Sequence, residues 1–156
     1  MRIFRFLLLP LCVLVFVAGA KKPKATVRFH VEVDPVSGSA FSTTSQLPDN
    51  REVTLGKVPE ISEQDIVAIH PFEDALGTWG CAFKLNPGAK NRLEALSVER
   101  KGSMMVAFVQ GRMVTAMIID RRVSDGVIII PSGIDTEEME LLLKAFQPKK
   151  KGKRGK

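Results

Sequence analysis

Residues 79–89 read WGCAFKLNPGA, and the pattern of this stretch changes in the middle. Cys81, Phe83 and Leu85 alternate with other residues, which is the period of a strand with one buried face. The pair Asn86-Pro87 follows at once, with a capping side chain and then a proline where a helix needs no N–H. A strand that runs directly into a helix predicts a chain that mixes the two elements.

Apolar patterns typical of strands and of helices also occur on both sides of this stretch. The apolar run Met104–Val109 has no break, which favours a central strand covered on both faces. We expect an α+β fold, with a mostly antiparallel sheet of five to six strands and two helices packed on one face. The predicted strands are 26–33, 67–72, 79–86, 104–109, 113–119 and 127–130, with 51–55 as a short strand candidate, and the predicted helices begin at residues 87 and 136.

Turns and caps follow from short motifs. Gln110-Gly111 predicts a tight turn, and Asp125-Gly126 is the stronger hairpin motif. Asp135 and Glu138 form the pattern of a capping box at the start of the last helix. Residues 34–50 are rich in Ser, Thr, Pro and Gly without a period, and we expect one long loop there.

The N-terminus has the pattern of a secretory signal over residues 1–20. Two arginines precede a charge-free run, and Ala18 and Ala20 fit the small-x-small pattern of a cleavage site. Cleavage predicts a periplasmic or secreted protein, with a basic stub at 21–24 and a single domain at 25–147. An uncleaved membrane anchor through residues 3–20 is the alternative, although the run is shorter than the roughly 20 residues that a spanning helix needs.

Positive charge gathers at the two ends of the chain, and the part between them carries a net charge of about −5. We expect residues 148–156 to be a disordered tail. This tail either only improves solubility or contacts anionic lipid or another polyanion. No aromatic residues are interleaved with its charges, so we expect no specific nucleic-acid binding. The basic residues of the tail are Lys149, Lys150, Lys151, Lys153, Arg154 and Lys156.

Few residues suggest reaction chemistry. Cys81 with His70 is a possible nucleophile and base, but Cys81 shares its strand face with Phe83, so a buried structural thiol is favoured. His30 is expected to be a solvent-facing strand residue. The charged residues at 120–125 suggest an acid/base cluster or, more simply, a solvated turn. We therefore expect no enzyme activity, no cofactor and no metal site.

The methionines at 104, 105, 113, 117 and 139 allow two interpretations. Methionine is flexible and polarizable, and a surface rich in it can adapt to varied peptides. These five residues also fit the apolar positions of predicted strands and a helix, which favours an ordinary core.

Residues 53–66, 79–89, 105–112 and 135–143 form a series of strand, turn and helix patterns that spans mainly 53–146. The order of these elements resembles the head subdomain in the first periplasmic domain of SecD, a protein-export factor also found fused as SecDF. Gln110 precedes Gly111 where the family usually has Asp-Gly. The resemblance implies the fold of the head and its proposed contact with unfolded, translocating polypeptide. It does not imply the proton-driven motor, because no transmembrane segment follows the leader.

Two hypotheses about function result. The first is an exported, non-enzymatic domain that binds polypeptide or an envelope protein partner through an exposed sheet edge or the groove beside it. The second is an envelope-tethered scaffold that its basic tail holds to anionic material.

Overall fold

Nine strands and two helices lie in the part of the chain that the structure, a computed structural model, describes: residues 25–34, 40–75 and 77–146. The α+β class is confirmed. The strands are β1 (Val27–Val31), β2 (Ser42–Gln46), β3 (Glu52–Gly56), β4 (Ile61–Ser62), β5 (Ile66–Glu73), β6 (Trp79–Leu85), β7 (Met104–Val109), β8 (Arg112–Ile118) and β9 (Val127–Ile134). The helices are α1 (Pro87–Glu99) and α2 (Thr136–Phe146).

The described strands form three antiparallel sheets, so the expectation of one sheet was wrong in this detail. A four-stranded sheet has the order β4-β1-β7-β8, and a three-stranded sheet has the order β5-β6-β9. The third sheet is the hairpin of β2 and β3. The chain divides in this way because strands with one apolar face bury that face by packing sheet against sheet.

The main core lies where the four-stranded and three-stranded sheets face each other. Phe29 of β1 and Phe83 of β6 meet there edge to face, with ring centroids 5.8 Å apart. Both helices pack into the same core, α1 through Leu93 and α2 through Met139 and Leu142. The two helices therefore contact the inner face of the three-stranded sheet, the face that carries Phe83.

A second core covers the other face of β7. Val106 is fully buried there against Leu47, Val53 and Leu55. The prediction that β7 is covered on both faces is therefore confirmed. The cover comes from the β2–β3 hairpin and the residues next to it.

The prediction of one loop over residues 34–50 was wrong for residues 42–46. These residues form β2, which pairs with β3 from Ser42 opposite Gly56 to Gln46 opposite Glu52. The sequence of β2, STTSQ, has no apolar alternation, so the pattern that predicts strands elsewhere in the chain is absent from it. Residues 35–39 lie outside the described residues.

One of the two predicted turns forms a hairpin. Gln110 and Gly111 both have positive φ, 50° and 81°, and they join β7 to β8. The prediction of a hairpin at Asp125-Gly126 was wrong, because β9 pairs with β6 and not with β8. Gly126 has a φ of 72° and lies against α1, where an added Cβ would be 2.9 Å from Cβ of Lys90. Glycine is therefore favoured at this position, because the chain passes so close to α1 that a Cβ atom would clash.

The predicted caps of both helices are present. The amide of Ala89 donates to Oδ1 of Asn86 at 2.9 Å. The amide of Glu138 donates to Oδ1 of Asp135 at 2.8 Å, and the amide of Asp135 donates to Oε2 of Glu138 at 3.2 Å. Among the described residues, no helix has the length and apolar character needed to cross a lipid bilayer.

Candidate functional site

A cleft of about 490 Å³ opens between the end of β8 and the start of β9, with α1 as its wall. Its apolar side chains include Leu93, Met105, Met117, Ile118 and Ile128, and charged side chains lie only in the connection between the two strands. A concave and mostly apolar surface with a few polar groups is typical of a binding site. We refer to it below as the β8–β9 cleft.

The β8–β9 cleft lies between two sheet edges. β8 is the outer strand of the four-stranded sheet, and β9 is the outer strand of the three-stranded sheet. The strands approach each other at one end, where an added Cβ on Gly133 would be 3.4 Å from the carbonyl oxygen of Val114. The cleft lies at the other end, beside residues 117–119 and 127–129. No described strand pairs with either edge there.

Arg112 holds the narrow end of the β8–β9 cleft together. Its Nε donates to Oε1 of Glu138 at 3.0 Å, and its Nη2 donates to the carbonyl oxygen of Gly133 at 2.9 Å. Nη2 also forms an ion pair with Oε2 of Glu138. The hydrogen bonds with Glu138 raise the pKa of Arg112, and the nearby charge of Asp135 adds to the effect. One side chain thus joins β8, the end of β9 and the first turn of α2.

The wide end of the cleft is tied to α1. The amide of Val123 donates to Oγ of Ser97 at 2.9 Å, and this hydroxyl donates to the carbonyl oxygen of Glu94 at 2.8 Å. Arg122 forms an ion pair with the side chain of Glu94. Ser97 is only 1% exposed, so the connection between β8 and β9 is fixed to the helix by a buried contact.

The charged residues of this connection do not form a reactive cluster. Arg122 is paired with Glu94, and Oδ1 of Asp125 accepts a hydrogen bond from the amide of Val127 at 3.0 Å. Asp120 and Arg121 are exposed. In the described residues, no three His, Cys, Asp or Glu side chains lie close enough together to hold a metal ion. The observed geometry is that of a solvated turn.

Cys81 and His70 lie on opposite faces of the three-stranded sheet. Cys81 pairs with Pro71 and His70 pairs with Ala82, and neighbouring residues of a strand point to opposite faces. Cys81 is fully buried, whereas His70 is exposed. Burial raises the pKa of the Cys81 thiol to about 11, against a smaller lowering by the backbone of His70. The prediction that Cys81 is a buried structural residue is confirmed.

The expectation that His30 faces solvent was wrong. Its ring packs edge to face on Phe108, with centroids 5.4 Å apart. Its Nδ1 donates to the carbonyl oxygen of Gly56 in β3 at 2.7 Å. The sequence did not predict this contact, because β2, one of the two strands of the covering hairpin, was predicted to be part of a loop.

The methionines serve the core, and two of them also line the β8–β9 cleft. Met105 and Met139 are 3% and 2% exposed. Met105 and Met117 face the cleft from the four-stranded sheet. Their positions within apolar strand and helix patterns predicted their burial. It did not predict the cleft, since the cleft depends on β8 and β9 remaining unpaired.

A second exposed apolar surface lies on the outer face of the three-stranded sheet. Phe72 and Ile129 are 40% and 53% exposed there. Phe72 covers Gly80, where an added Cβ would be 2.3 Å from Cε2 of the phenyl ring. Ile129 also borders the β8–β9 cleft, and the enclosed volume of the cleft makes it the better candidate.

The structure does not describe two sets of predicted site residues. Ala18 and Ala20, the predicted cleavage positions, lie outside the described residues, and so do the six basic residues of the tail, 149–156. They stay predictions.

Comparison with known proteins supports the resemblance found in the sequence. No protein-family model and no curated protein sequence matches the chain. The structure of the membrane component SecDF that enhances protein export matches 80% of this chain at a TM-score of 0.56 and 15% identity. SecDF in its super-membrane-facing form also matches 80%, at a TM-score of 0.56 and 16% identity. The chain covers 63% and 19% of these two structures. At this identity the match shows the fold alone, and the fold of this chain is that of a SecD-like domain.

Proposed function

We propose that this chain is an exported, non-enzymatic domain that binds extended polypeptide, either an unfolded chain or a segment of an envelope protein. The binding site is the β8–β9 cleft. The observation that carries this proposal is the position of an apolar cleft of about 490 Å³ between two unpaired sheet edges of the described residues. Sheet edges offer backbone hydrogen bonds, and the apolar wall accepts side chains.

The chemistry of the cleft suits a guest of varied sequence. Met105 and Met117 line it with flexible thioethers, which adapt to side chains of different shape. The thiol of Cys81, the only described cysteine, is buried in the core away from solvent. The cleft therefore has features for binding, and the reactive groups suggested by the sequence do not meet in it.

The fold comparison is consistent with this proposal. The matched structure is that of a membrane component that enhances protein export, and export handles polypeptide. A periplasmic or secreted location agrees with the leader-like pattern of residues 1–20.

The test uses a polypeptide that is reduced and alkylated so that it cannot refold. Calorimetry of the purified chain is expected to show binding. Ile118→Glu is expected to weaken the binding at least about tenfold, because it places a charge at an apolar wall. Ile118 is 63% exposed, so this change leaves the core intact.

Val58→Glu is the matched control. It introduces the same charge at a residue that is 78% exposed and does not line the cleft. We expect it to bind like the unaltered chain. The proposal fails if the unaltered chain binds no unfolded polypeptide, or if the two variants lose affinity equally.

A second proposal is tethering to anionic envelope material through the basic tail. Six basic residues lie within 149–156, while the rest of the chain after residue 24 is acidic on balance. Deleting residues 149–156 should abolish binding to anionic lipid vesicles, and raising the salt from about 0.05 to 0.5 M should have the same effect. Unchanged vesicle binding after the deletion would exclude this role for the tail. Neither treatment should affect an apolar guest in the cleft.

A further inference from the structure

We infer that the guest polypeptide binds as an added β-strand on the free edge of β8, with alternate side chains directed into the β8–β9 cleft. This inference rests on the proposed function and specifies its mode. It assigns the backbone contact to one strand among the sheet edges that the described residues offer.

The other edge strands of the four-stranded and three-stranded sheets carry features that block strand addition. β5 contains Pro71, and its pairing is irregular between Ile66 and Ala68. β9 contains Pro131, and β4 has only two residues. Proline cannot donate a backbone hydrogen bond, and a bulge turns an edge away from a new partner.

Beyond its first residue, β8 has one such feature, a shift in its pairing with β7 at Val114, and none after that residue. From Met113 to Ile118 it contains no proline and no charged side chain. The last part of the strand, from Thr115 to Ile118, pairs in regular register with β7. Proteins usually block such an edge with Lys, Pro or a bulge, because it is a template for pairing with another chain. An edge left open beside an apolar cleft is therefore suited to a guest strand.

The space beside β8 favours a single strand over a second copy of this protein. At the narrow end, Gly133 of β9 lies against Val114, and Arg112 ties the two strands together. A complete sheet from another folded molecule would meet β9 before its edge reached β8. One extended segment does not meet this obstacle, since it can enter at the wide end beside residues 117–119.

The register of β8 predicts the pattern of the guest. Met117 pairs with Met105 on the face of the main core, while Ile118 pairs with Met104 on the opposite face. A strand beside Thr115–Ile118 would continue both faces over about 13 Å. The face of Met117 borders the interior of the cleft together with Leu93 and Ile128, and Ile118 lies at its exposed rim. The guest should therefore carry apolar side chains at every second position and tolerate polar ones between them.

The experiment uses a peptide of about ten residues with alternating valine and serine, and two analogues with N-methyl groups on alternate amides. One analogue carries the methyl groups on the even amides and the other on the odd amides, so each is the matched control of the other. Only every second amide of an added strand faces its host. We expect one analogue to lose at least about tenfold in affinity and the other to bind within about threefold of the parent peptide.

Hydrogen exchange locates the contact. Binding of the parent peptide should slow exchange at those amides of residues 115–118 that do not already bond to β7, and residues 66–73 of the β5 edge should not change. The inference is wrong if both analogues bind like the parent, because side chains alone would then hold the guest. Equal loss with both analogues would mean that the guest also pairs with β9, and would refute an assignment to β8 alone.

Two further outcomes separate this inference from the proposed function. If the unfolded polypeptide binds but exchange slows only outside residues 115–118, the proposed function stands and the assignment to β8 fails. If exchange at residues 115–118 slows with rising protein concentration and no peptide, a second copy occupies the edge and the inference fails. If no unfolded polypeptide binds at all, both proposals fail.

Discussion

Replacing Arg112 with alanine should destabilise the fold more than any other single loss of an ion pair described above. The side chain of Glu138 is only 10% exposed, and Arg112 donates to both of its carboxylate oxygens. In Arg112→Ala this carboxylate keeps one donor, the amide of Asp135 at 3.2 Å. A buried charge that loses its partner costs about 3–5 kcal/mol. Because the side chain of Arg112 is 48% exposed and Glu138 keeps that donor, we expect about 2 kcal/mol.

Arg122→Ala is the matched control for this prediction. Arg122 also forms an ion pair with a glutamate, but the side chains of Arg122 and Glu94 are 67% and 26% exposed. Solvated pairs of this kind contribute about 0.5 kcal/mol or less. For a chain of this size, 2 kcal/mol corresponds to a fall in Tm of about 6–10 °C. Urea unfolding followed by circular dichroism measures both variants. Equal losses, or a larger loss in Arg122→Ala, would refute the argument from burial.

Three further predictions concern single sites. The Cys81 thiol has a pKa of about 11 in the folded chain. At pH 8 it should therefore react with a thiol reagent at least about a hundredfold more slowly in the folded chain than in denaturant. Equal rates would contradict its burial. Partial burial alone would raise the pKa of Asp65, but hydrogen bonds from Arg92 and Ser62 outweigh it and lower the pKa. The stability from this pair is therefore present above about pH 4 and is lost on acidification. Arg92→Ala should be less stable than the unaltered chain at pH 7, and the difference should shrink as the pH falls below about 4; a constant difference would contradict this. Gly80→Ala should cost about 1–3 kcal/mol in urea unfolding, because the new Cβ would lie 2.4 Å from the carbonyl oxygen of Pro131, and an unchanged midpoint would contradict this close contact.

The sequence predicts best those elements whose pattern is local. Asn86 and Pro87 mark the start of α1, and the capping box of Asp135 and Glu138 marks that of α2, because a cap depends on residues within one turn. The hairpin at Gln110 and Gly111 is local in the same sense, since two residues of positive φ decide the turn. Each of these features is present where the sequence places it.

The pairing of strands was harder to predict, because alternation shows that a face is buried but not which strand lies beside it. Asp125-Gly126 has the composition of a hairpin turn, yet it leads from β8 to a strand that pairs with β6. Gly126 is needed there for its passage beside Lys90, a contact between residues far apart in the sequence. The prediction of a single sheet was wrong because the neighbours of each strand are decided by contacts of this kind.

The absence of a hairpin between β8 and β9 also creates the candidate site. Had β8 and β9 paired through Asp125-Gly126, each would have satisfied the free edge of the other, and the cleft between them would have closed. Instead the connection crosses to α1 and is fixed there through Ser97, so the two strands stay apart at their wide end while Arg112 holds them at the narrow end. A continuous sheet would have made β8 an interior strand, and its lack of Pro and Lys would then need no explanation. Because β8 is an edge in the structure, that same lack becomes the strongest reason to look for a guest strand beside it.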